Sequence, residues 1–363
     1  MTGPHPKPGI LDIAPYVGGE SKIPGVKRVI KLASNESPLG PSPKAIAAYR
    51  KAAKELHRYP DGGAEHLRAA LAERYGLEPA RIVCGAGSDE LIAMLCRAYA
   101  GEGDEVLYSE YGFLMYAISA KSAGATPVKA PERDLTADVD ALLARVTSKT
   151  RLVFLANPNN PTGTYLGNDA VERLRDRLPP EVLLVIDAAY AEYVDRNDYS
   201  PGIDLVRAHP TVVMTRTFSK IYGLAALRLG WAYCPPAVAD VLHRVRGPFN
   251  VGTAAQVAGV AALRDAAHTA RAKDHNDRWQ PWLSRELEAI GLGVAPSVGN
   301  FVLARFPAGA GQAAAADAFL KKRGVIVRAM TGYGLPDGLR ITVGMDDENE
   351  AVVAALRAFL AAR

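Results

Sequence analysis

The sequence predicts an α/β protein with a large domain, whose mostly parallel sheet is covered by helices on both faces, and a smaller C-terminal α/β domain. Short apolar runs alternate with helical patterns through the middle of the 363 residues. These runs lack the alternation of half-exposed strands, which is typical of strands buried on both faces of a parallel sheet. The length corresponds to about two domains at roughly 150 residues each.

The large domain is predicted to span residues 34–246. Its strands are expected at 81–84, 105–108, 126–129, 151–156, 182–187, 211–216 and 229–234, with helical patterns between them such as 89–99 and 169–178. Because ligands bind beyond the carboxyl ends of strands in an open parallel sheet, residues that carry chemistry are expected just after these runs.

A proline-rich arm precedes this domain over residues 1–33, and such an arm is expected to pack on the small domain or on a partner subunit. The pattern changes near residue 246, so the small domain is predicted at 247–363. An Ala-rich helical stretch runs from 253 to about 289. It is followed by strands at 300–306, 325–328 and 339–343 and by helices at 312–322 and 348–362.

The composition is that of an ordinary globular protein, with 48% hydrophobic and 23% charged residues and a net charge of +4 spread along the chain. This charge does not indicate nucleic acid and is compatible with small anionic substrates. Cys84, Cys96 and Cys234 are predicted to be buried reduced thiols, which favours the cytoplasm. No metal-ligand spacing, signal core or membrane-spanning apolar run is present, so no metal and no membrane partner are expected.

The segment 217–230, TFSKIYGLAALRLG, surrounds one lysine with hydroxyls, small residues and apolar residues. A primary amine there can form an imine with a carbonyl, while Thr217, Ser219 and Arg228 can hold an anionic group beside it. This combination predicts a pyridoxal 5'-phosphate (PLP) enzyme in which Lys220 is the reactive amine. The competing interpretation is a solvated loop lysine, which these neighbours disfavour.

Two loops after strands have both a functional and a structural interpretation. Gly85 to Glu90, GAGSDE, opens a helix whose first N–H groups, at Ser88 and Asp89, can cradle a phosphate. Taken alone, a helix cap explains it better. Residues 157–163, NPNNPTG, form a turn by Pro/Asn chemistry alone, and the functional interpretation places the amide of Asn160 on a cofactor oxygen.

Asp187 ends an apolar strand, where a charge is costly unless it is paired. Facing a pyridine nitrogen, it would keep that nitrogen protonated; alternatively it caps the next turn. Tyr190 can donate to a ring oxygen and Tyr111 can stack on a planar ring, although both also suit a core aromatic. Arg340, within a strand pattern, has either a bound carboxylate or phosphate or an internal salt bridge as its partner, and Arg328 has the same two interpretations.

Seven segments occur in order from about residue 32 to 343: LASNESP (32–38), RYPD (58–61), GAGSDE (85–90), NPNNPTG (157–163), DAAY (187–190), SK (219–220) and RITVG (340–344). Together they make the chain resemble the fold-type I PLP-dependent aminotransferases of class I/II, with the closest resemblance to the histidinol-phosphate aminotransferases.

The resemblance implies a role for each matching residue. Lys220 would carry the imine, and Asp187 would pair with the pyridine nitrogen. Asn160 and Tyr190 would bind the ring oxygen, and Tyr111 would stack on the ring face. The cofactor phosphate would be surrounded by Ser88, Asp89, Thr217, Ser219 and Arg228, with Tyr59 reaching it from the neighbouring subunit of a homodimer. The substrate pocket would contain Arg340, Arg328, Tyr16 and Asn35.

The reaction implied by the resemblance is transamination between histidinol phosphate and 2-oxoglutarate, which yields imidazole acetol phosphate and glutamate in histidine biosynthesis. Two departures from the family pattern stand out: Ala188 replaces a usual Glu, and Glu110 stands where a small residue, Pro or Thr is common. Three alternatives remain open: an aromatic amino acid aminotransferase, a PLP-dependent phospho-amino-acid decarboxylase, and a non-catalytic PLP-binding module.

Overall fold

The structure is a computed structural model that describes residue 3, residues 5–26 and residues 28–362. Its strands are β1 (Ile30–Lys31), β2 (Ile82–Gly85), β3 (Glu105–Ser109), β4 (Thr126–Ala130), β5 (Glu132–Arg133), β6 (Thr136–Ala137), β7 (Thr150–Ala156), β8 (Leu183–Asp187), β9 (Val212–Thr217), β10 (Gly230–Tyr233), β11 (Gly293–Val294), β12 (Phe301–Arg305), β13 (Val325–Ile326), β14 (Arg328–Ala329) and β15 (Gly338–Thr342).

The helices are α1 (Pro43–Ala52), α2 (Glu65–Tyr75), α3 (Ser88–Tyr99), α4 (Met115–Ala123), α5 (Val139–Ala144), α6 (Asn168–Arg177), α7 (Ile203–Ala208), α8 (Pro236–Val245), α9 (Thr253–Leu263), α10 (Ala266–Ala289), α11 (Ala310–Lys322) and α12 (Asp346–Ala361).

The large sheet has the strand order β2-β10-β9-β8-β7-β3-β4 among the described residues. Only β10 runs antiparallel to its neighbours in it, so the prediction of a mostly parallel sheet is confirmed. Each strand predicted for this sheet is present to within one residue at each end.

Both faces of the large sheet are covered by helices, because successive side chains of a strand point to opposite faces. In β7, Val153 packs into the cluster that also holds residues of α2, α6 and α9. The next residue, Phe154, packs into the cluster with residues of α3, α4 and α8. The continuous apolar runs seen in the sequence therefore correspond to strands buried on both sides.

The small sheet is antiparallel, with strand order β11-β12-β15-β14. Leu339 and Ile341 of β15 face a core shared with α10, α11 and α12. Since side chains alternate along a strand, Arg340 between them points to the opposite face, where the large sheet lies. The predicted strand 325–328 is in fact two short strands, β13 and β14, interrupted at Val327.

The predicted helical stretch 253–289 is helical except at a short break, which divides it into α9 and α10. At the break, Asp265, the N-cap residue of α10, leaves helical geometry (φ −98°, ψ 64°) and accepts a hydrogen bond from the buried hydroxyl of Ser42 at 2.5 Å. The break is therefore held by a residue more than 200 positions away.

The domain boundaries stay a prediction, and the packing of α9 bears on one of them. Ala255, Ala258 and Ala262 of this helix belong to the core of the large sheet. That position favours a boundary later in the chain than residue 246. The arm, predicted at 1–33, includes residues 1, 2, 4 and 27, which lie outside the described residues; its end forms β1, which pairs in parallel with β13.

Candidate functional site

A cavity of about 380 Å³ lies beyond the carboxyl ends of β7, β8 and β9 and at the start of α3. This volume is within the range of small-molecule sites. Most of the residues predicted from the sequence line it: Tyr16, Asn35, Ser88, Asp89, Asn160, Asp187, Tyr190, Thr217, Ser219, Lys220, Arg228, Arg328 and Arg340. The expectation that chemistry-bearing residues follow the strands is therefore met by their positions.

Lys220 lies three residues after β9 and opens onto the cavity. Its Nζ atom is 5.6 Å from the centre of the Tyr190 ring. Burial, and then the positive charge of Arg340, lower the pKa of Lys220 to about 8, while the negative charge of Asp89 acts in the opposite direction. An amine with this pKa is partly neutral near pH 7 and can act as a nucleophile or a base.

Asp187 is the last residue of β8 and is 5% exposed. Its Oδ2 accepts a hydrogen bond from the hydroxyl of Tyr116 at 2.8 Å, and its Oδ1 accepts one from Thr215 at 3.2 Å. Burial raises the pKa of Asp187 to about 6, and these two hydrogen bonds act against that rise. A buried carboxylate at the cavity wall can pair with a cationic group of a ligand.

Tyr190 is fixed by the segment that follows the arm. The Nδ2 atom of Asn35 donates to the hydroxyl of Tyr190 at 2.9 Å, and the Oδ1 atom of Asn35 accepts from Thr342 at 3.0 Å. Asn35 itself has a positive φ of 54°, a conformation that Asn tolerates better than most residues. Because Tyr190 accepts from Asn35, its own proton is available for a ligand oxygen in the cavity.

The start of α3 forms an anion site together with Arg228. Asp89 accepts from Nη2 of Arg228 at 3.0 Å, and Ser219 accepts from Nη1 at 3.3 Å. No side chain caps the N-terminus of α3, so its first N–H groups are available to an anion. Gly87 precedes the helix with φ 88°, and a Cβ atom there would lie 2.3 Å from Nη2 of Arg228.

Arg340 forms a second basic site on the small-sheet side of the cavity. It is 5% exposed, donates to the carbonyl of Ala33 at 2.8 Å, and donates from Nη1 to Oδ1 of Asn160. Its Nε–H is buried and has no hydrogen-bond partner among the described residues. A cavity-lining guanidinium whose protein partners are neutral is suited to an incoming carboxylate or phosphate. The alternative of an internal salt bridge is not what the described residues form, since its partners there are neutral oxygens.

Arg328 and Tyr16 lie together at the edge of the cavity. Arg328 donates to the carbonyl of Val17 at 2.7 Å, which ties the arm to β14. Tyr16 is 53% exposed and lines the cavity from the arm. The arm therefore contributes to the cavity wall.

Tyr111 does not line the cavity, and its stacking on a ligand ring stays a prediction. It packs beside Leu303 of β12 and Tyr333 of the turn that follows β14, and its backbone N–H donates to Glu132 at 3.2 Å. Phe113, two residues later, lines the cavity instead. The turn after β3 rotates the chain so that the second aromatic, not the first, faces the site.

Tyr59 lies at the surface of the protein, with 82% of its own surface exposed. Its ring stacks on that of Phe249, with centroids 4.7 Å apart. It does not line the cavity of its own chain.

Sequence reasoning missed three further residues of interest. Glu36 and Tyr333 line the cavity, and Tyr116 contacts Asp187 from behind. Glu36 belongs to the segment LASNESP (32–38), and that motif could have indicated its place in the site. Nothing in the local pattern of the other two points to the site, because only the tertiary fold brings them there.

The three cysteines are free and buried, as predicted. Burial raises the pKa of both Cys84 and Cys96 to about 12. Within the described part of the chain, no helix has the length and apolar character needed to cross a membrane. The same part contains no group of three or more His, Cys, Asp or Glu side chains placed to hold a metal ion.

The side chains that line the cavity fit the PLP predicted from the sequence. A lysine of lowered pKa suits an imine, a buried carboxylate suits a ring nitrogen, and the close approach at Gly87 beside the open start of α3 suits a phosphate. The charge of Arg340, which has neutral oxygens as its partners among the described residues, remains for a separate anionic group.

Comparison with known proteins agrees with this geometry. A relative from Paramagnetospirillum magneticum, named histidinol-phosphate aminotransferase, is 65% identical over 363 residues and covers 100% of both chains. A relative of the same name from Rhodospirillum rubrum is 60% identical over 359 residues, covering 99% of this chain and 97% of the relative. The crystal structure of histidinol-phosphate aminotransferase from Sinorhizobium meliloti in complex with pyridoxal-5'-phosphate has a TM-score of 0.88 at 30% identity, with 97% of each chain covered. Residues 27–356 match the family described as aminotransferase class I and II, and the chain belongs to that family.

Proposed function

We propose that this chain is a PLP-dependent transaminase that moves the amino group of L-histidinol phosphate to 2-oxoglutarate. The products are imidazole acetol phosphate and glutamate, in the biosynthesis of histidine. Relatives that match the chain over its full length at 53–65% identity carry the name histidinol-phosphate aminotransferase.

One observation carries the proposal: a single cavity joins a lysine of lowered pKa to two arginines from different parts of the fold. Arg228 precedes β10 and donates to Asp89 at the start of α3, while Arg340 belongs to β15 of the small sheet. Both line the cavity that Lys220 opens onto. One anion site suits the phosphate of the cofactor, and the other suits the phosphate of the donor or a carboxylate of 2-oxoglutarate.

PLP supplies an electron sink that weakens the Cα–H bond of an amine attached to it. The Asp187 carboxylate would hold its ring nitrogen, Tyr190 and Asn160 would hold its ring oxygen, and Phe113 would contact its ring face. Its phosphate would be held by Ser88, Asp89, Thr217, Ser219 and Arg228. Tyr190 is well suited to its role, because Asn35 occupies its acceptor position and leaves its proton free.

Lys220 performs the proton transfer. With PLP bound, its Nζ atom, when neutral, would take the Cα proton of the donor and hold it for return within the cavity. The pKa of about 8 lets the amine both accept and release a proton near neutral pH. Arg340 holds the substrate anion during this transfer, and Arg328 with Tyr16 closes the cavity on the arm side.

The active unit we propose is a homodimer in which Tyr59 reaches the cofactor phosphate of the partner. This proposal is supported by the exposure of Tyr59, at 82%, together with that of Leu56 and Phe249 nearby. Large exposed apolar side chains of this kind are typical of interfaces. The cytoplasm is the proposed compartment, on the basis of the three buried thiols.

Subunit mixing tests the dimer. In a heterodimer of Tyr59→Phe and Lys220→Ala subunits, one site combines an intact Lys220 with an intact Tyr59 from its partner. We expect the mixture to be more active than either variant alone. If Tyr59 acts within its own subunit, mixing produces no gain.

A second candidate, an aromatic amino acid aminotransferase, is favoured by the aromatic wall of the cavity. Tyr16, Phe113 and Tyr333 line it, and they contact a phenyl ring as readily as an imidazole ring. The two candidates use the same lysine and the same cofactor. They differ only in the donor that reacts fastest.

Single-turnover kinetics of the PLP-loaded enzyme separates them. The absorbance of the cofactor is followed after addition of L-histidinol phosphate, with L-histidinol, phenylalanine and tyrosine in parallel. We expect fast conversion with histidinol phosphate and slow conversion with L-histidinol, which lacks the anion that Arg340 binds. Faster conversion with phenylalanine or tyrosine would establish the aromatic enzyme instead. A cofactor absorbance that persists unchanged in Lys220→Ala would contradict both.

A coupled assay for glutamate excludes a decarboxylase on the same scaffold. Transamination produces one glutamate for each 2-oxoglutarate consumed, whereas decarboxylation of a phosphorylated amino acid releases CO₂ and consumes no 2-oxoglutarate. We expect glutamate formation that depends on histidinol phosphate.

A further inference from the structure

Behind the proposed cofactor site, the carboxylate of Asp187 is held by two hydroxyl groups. Tyr116 donates to Oδ2 at 2.8 Å, and Thr215 donates to Oδ1 at 3.2 Å. Tyr116 is fully buried and does not line the cavity, so it does not touch a ligand there. The proposed function assigns no role to it.

The ring of Tyr116 is fixed by other aromatic rings on three sides. It stacks in parallel on Phe154, with centroids 4.6 Å apart and an interplanar angle of 8°. Tyr108 and Phe113 both meet it edge-on, each with centroids 5.9 Å apart. A ring so enclosed has little freedom to move its hydroxyl away from Asp187.

The first turn of α4 connects this ring to the cavity. Phe113 lines the cavity, and its carbonyl accepts a hydrogen bond from the backbone N–H of Tyr116 at 3.0 Å. One turn of chain therefore sets both the aromatic wall of the site and the donor behind Asp187. Such coupling is what a supporting shell around a reactive group requires.

The charges around Asp187 act in opposite directions. Burial raises its pKa to about 6, the hydrogen bonds from Tyr116 and Thr215 lower it, the negative charge of Asp89 raises it, and Lys220 lowers it. Tyr190 and Tyr199 also face this carboxylate, both neutral because burial raises their pKa values. Burial, then Asp187, raises the pKa of Tyr116 well above its usual value, so Tyr116 keeps its proton and remains a donor.

We propose that Tyr116 is a positioning residue, which through its hydrogen bond to Oδ2 keeps the Asp187 carboxylate ionised and aimed into the cavity. This role rests on the proposed function, since it matters for catalysis only if a cationic ring nitrogen pairs with Asp187. Loss of the hydroxyl makes the carboxyl more difficult to ionise and weakens its grip on the cofactor.

The test is Tyr116→Phe, with Tyr108→Phe as the matched control. Both changes remove one hydroxyl from the same aromatic cluster, and only Tyr116 contacts Asp187. The first readout uses the cofactor-free protein: the free energy of unfolding is measured against pH for both variants and the parent chain.

The direction follows from the raised pKa of Asp187. A carboxyl whose pKa is raised in the folded state contributes stability when protonated and loses it as pH rises through the folded pKa. Removing the Tyr116 hydroxyl raises that pKa further. The destabilisation of Tyr116→Phe relative to the parent is therefore expected to grow as pH rises above about 6, the folded pKa of Asp187 in the parent, until the carboxyl of the variant is also ionised. That of Tyr108→Phe is expected to be the same at every pH.

The second readout is the dissociation constant of PLP, measured by protein fluorescence. We expect it to rise about tenfold in Tyr116→Phe and to change less than about twofold in Tyr108→Phe. A pH-independent destabilisation of Tyr116→Phe with unchanged PLP binding would overturn the proposal. If Tyr116→Phe does not fold, Thr215→Val removes the other donor and is expected to shift the pH dependence in the same direction, and the absence of that shift would equally overturn it.

A failure of the proposed function can be distinguished by experiment from a failure of this inference. If the parent chain binds PLP but does not react with histidinol phosphate, the donor assignment is wrong while the pH shift of Tyr116→Phe stands. If the parent chain reacts and Tyr116→Phe titrates as the parent does, only the positioning role is lost.

Discussion

Replacing Arg340 by lysine tests the substrate anion site, because lysine keeps the positive charge and loses the planar fork of donors. In the structure, Nη1 donates to Asn160 and Nη2 donates to Ala33, which hold the guanidinium in place. The guanidinium lines the cavity, and both of these partners are neutral oxygens, so its charge is available to a ligand. A lysine ammonium cannot reach both protein acceptors and the substrate from this position.

The size of the effect follows from the hydrogen bonds lost. A hydrogen bond involving a charged group contributes about 2 kcal/mol when it is buried, which corresponds to roughly 30-fold in affinity. Because histidinol phosphate and 2-oxoglutarate use the same arginine in turn, we expect KM for both to rise by roughly this factor in Arg340→Lys. Binding of PLP is expected to change little, because Arg228 serves the other anion site.

The assay is steady-state kinetics with each substrate varied in turn, together with a PLP titration. Arg305→Lys is the matched control: Arg305 also lies in the small sheet, pairs with Asp337 at 2.6 Å, and is absent from the cavity lining. The control should keep the KM of the parent chain for both substrates. An Arg340→Lys variant with both KM values within about twofold of the parent's would refute the reasoning.

Three further predictions concern other parts of the molecule. Attachment of PLP to the cofactor-free protein requires a neutral Lys220, whose pKa is about 8. The rate of attachment, followed by absorbance, should therefore rise about tenfold per pH unit below pH 8 and level off above it. A rate that still rises to pH 10 would contradict this. Gly87→Ala should weaken PLP binding at least about tenfold in a fluorescence titration, because the new Cβ would displace Arg228 at a residue with φ 88°, and unchanged affinity would refute the close approach. Ser42→Ala should reduce the free energy of unfolding in urea by about 1 kcal/mol, because Ser42 caps α1 and binds Asp265, whereas the same change at Ser284 should have a smaller effect.

Much of the cavity could be predicted because its residues follow strands of a parallel sheet. Asp187 ends β8, Asn160 follows β7, and Lys220 follows β9, so adjacent strands bring together residues that are distant in sequence. The buried apolar runs that reveal the strands therefore also locate the site. The same rule does not specify which face of a turn points inward.

The positions of Tyr111 and Phe113 illustrate this limit. Tyr111 and Phe113 follow the same strand and are both aromatic, and only the packing of the turn against Tyr333 and Glu132 decides which ring enters the cavity. The break at Asp265 and the contact of Tyr116 with Asp187 are tertiary in the same sense. Strands of two residues, such as β1 and β5, are too short to leave a periodic pattern.

The pairing of β1 with β13 has a consequence for how the chain is made. Backbone hydrogen bonds run from Leu32 N–H to Ile326 and from Thr342 N–H to Leu32, so the segment bridges two strands near the other end of the chain. Residues 30–32 are synthesised about 295 residues before their partners, since Ile30 pairs with Val325 (325 − 30). Until then, β1 has no strand to pair with, and the apolar side chain of Leu32 stays outside the core it will enter. The pairing of β1 with β13 is therefore a step of long loop closure, and the waiting segment is a natural point for chaperone contact.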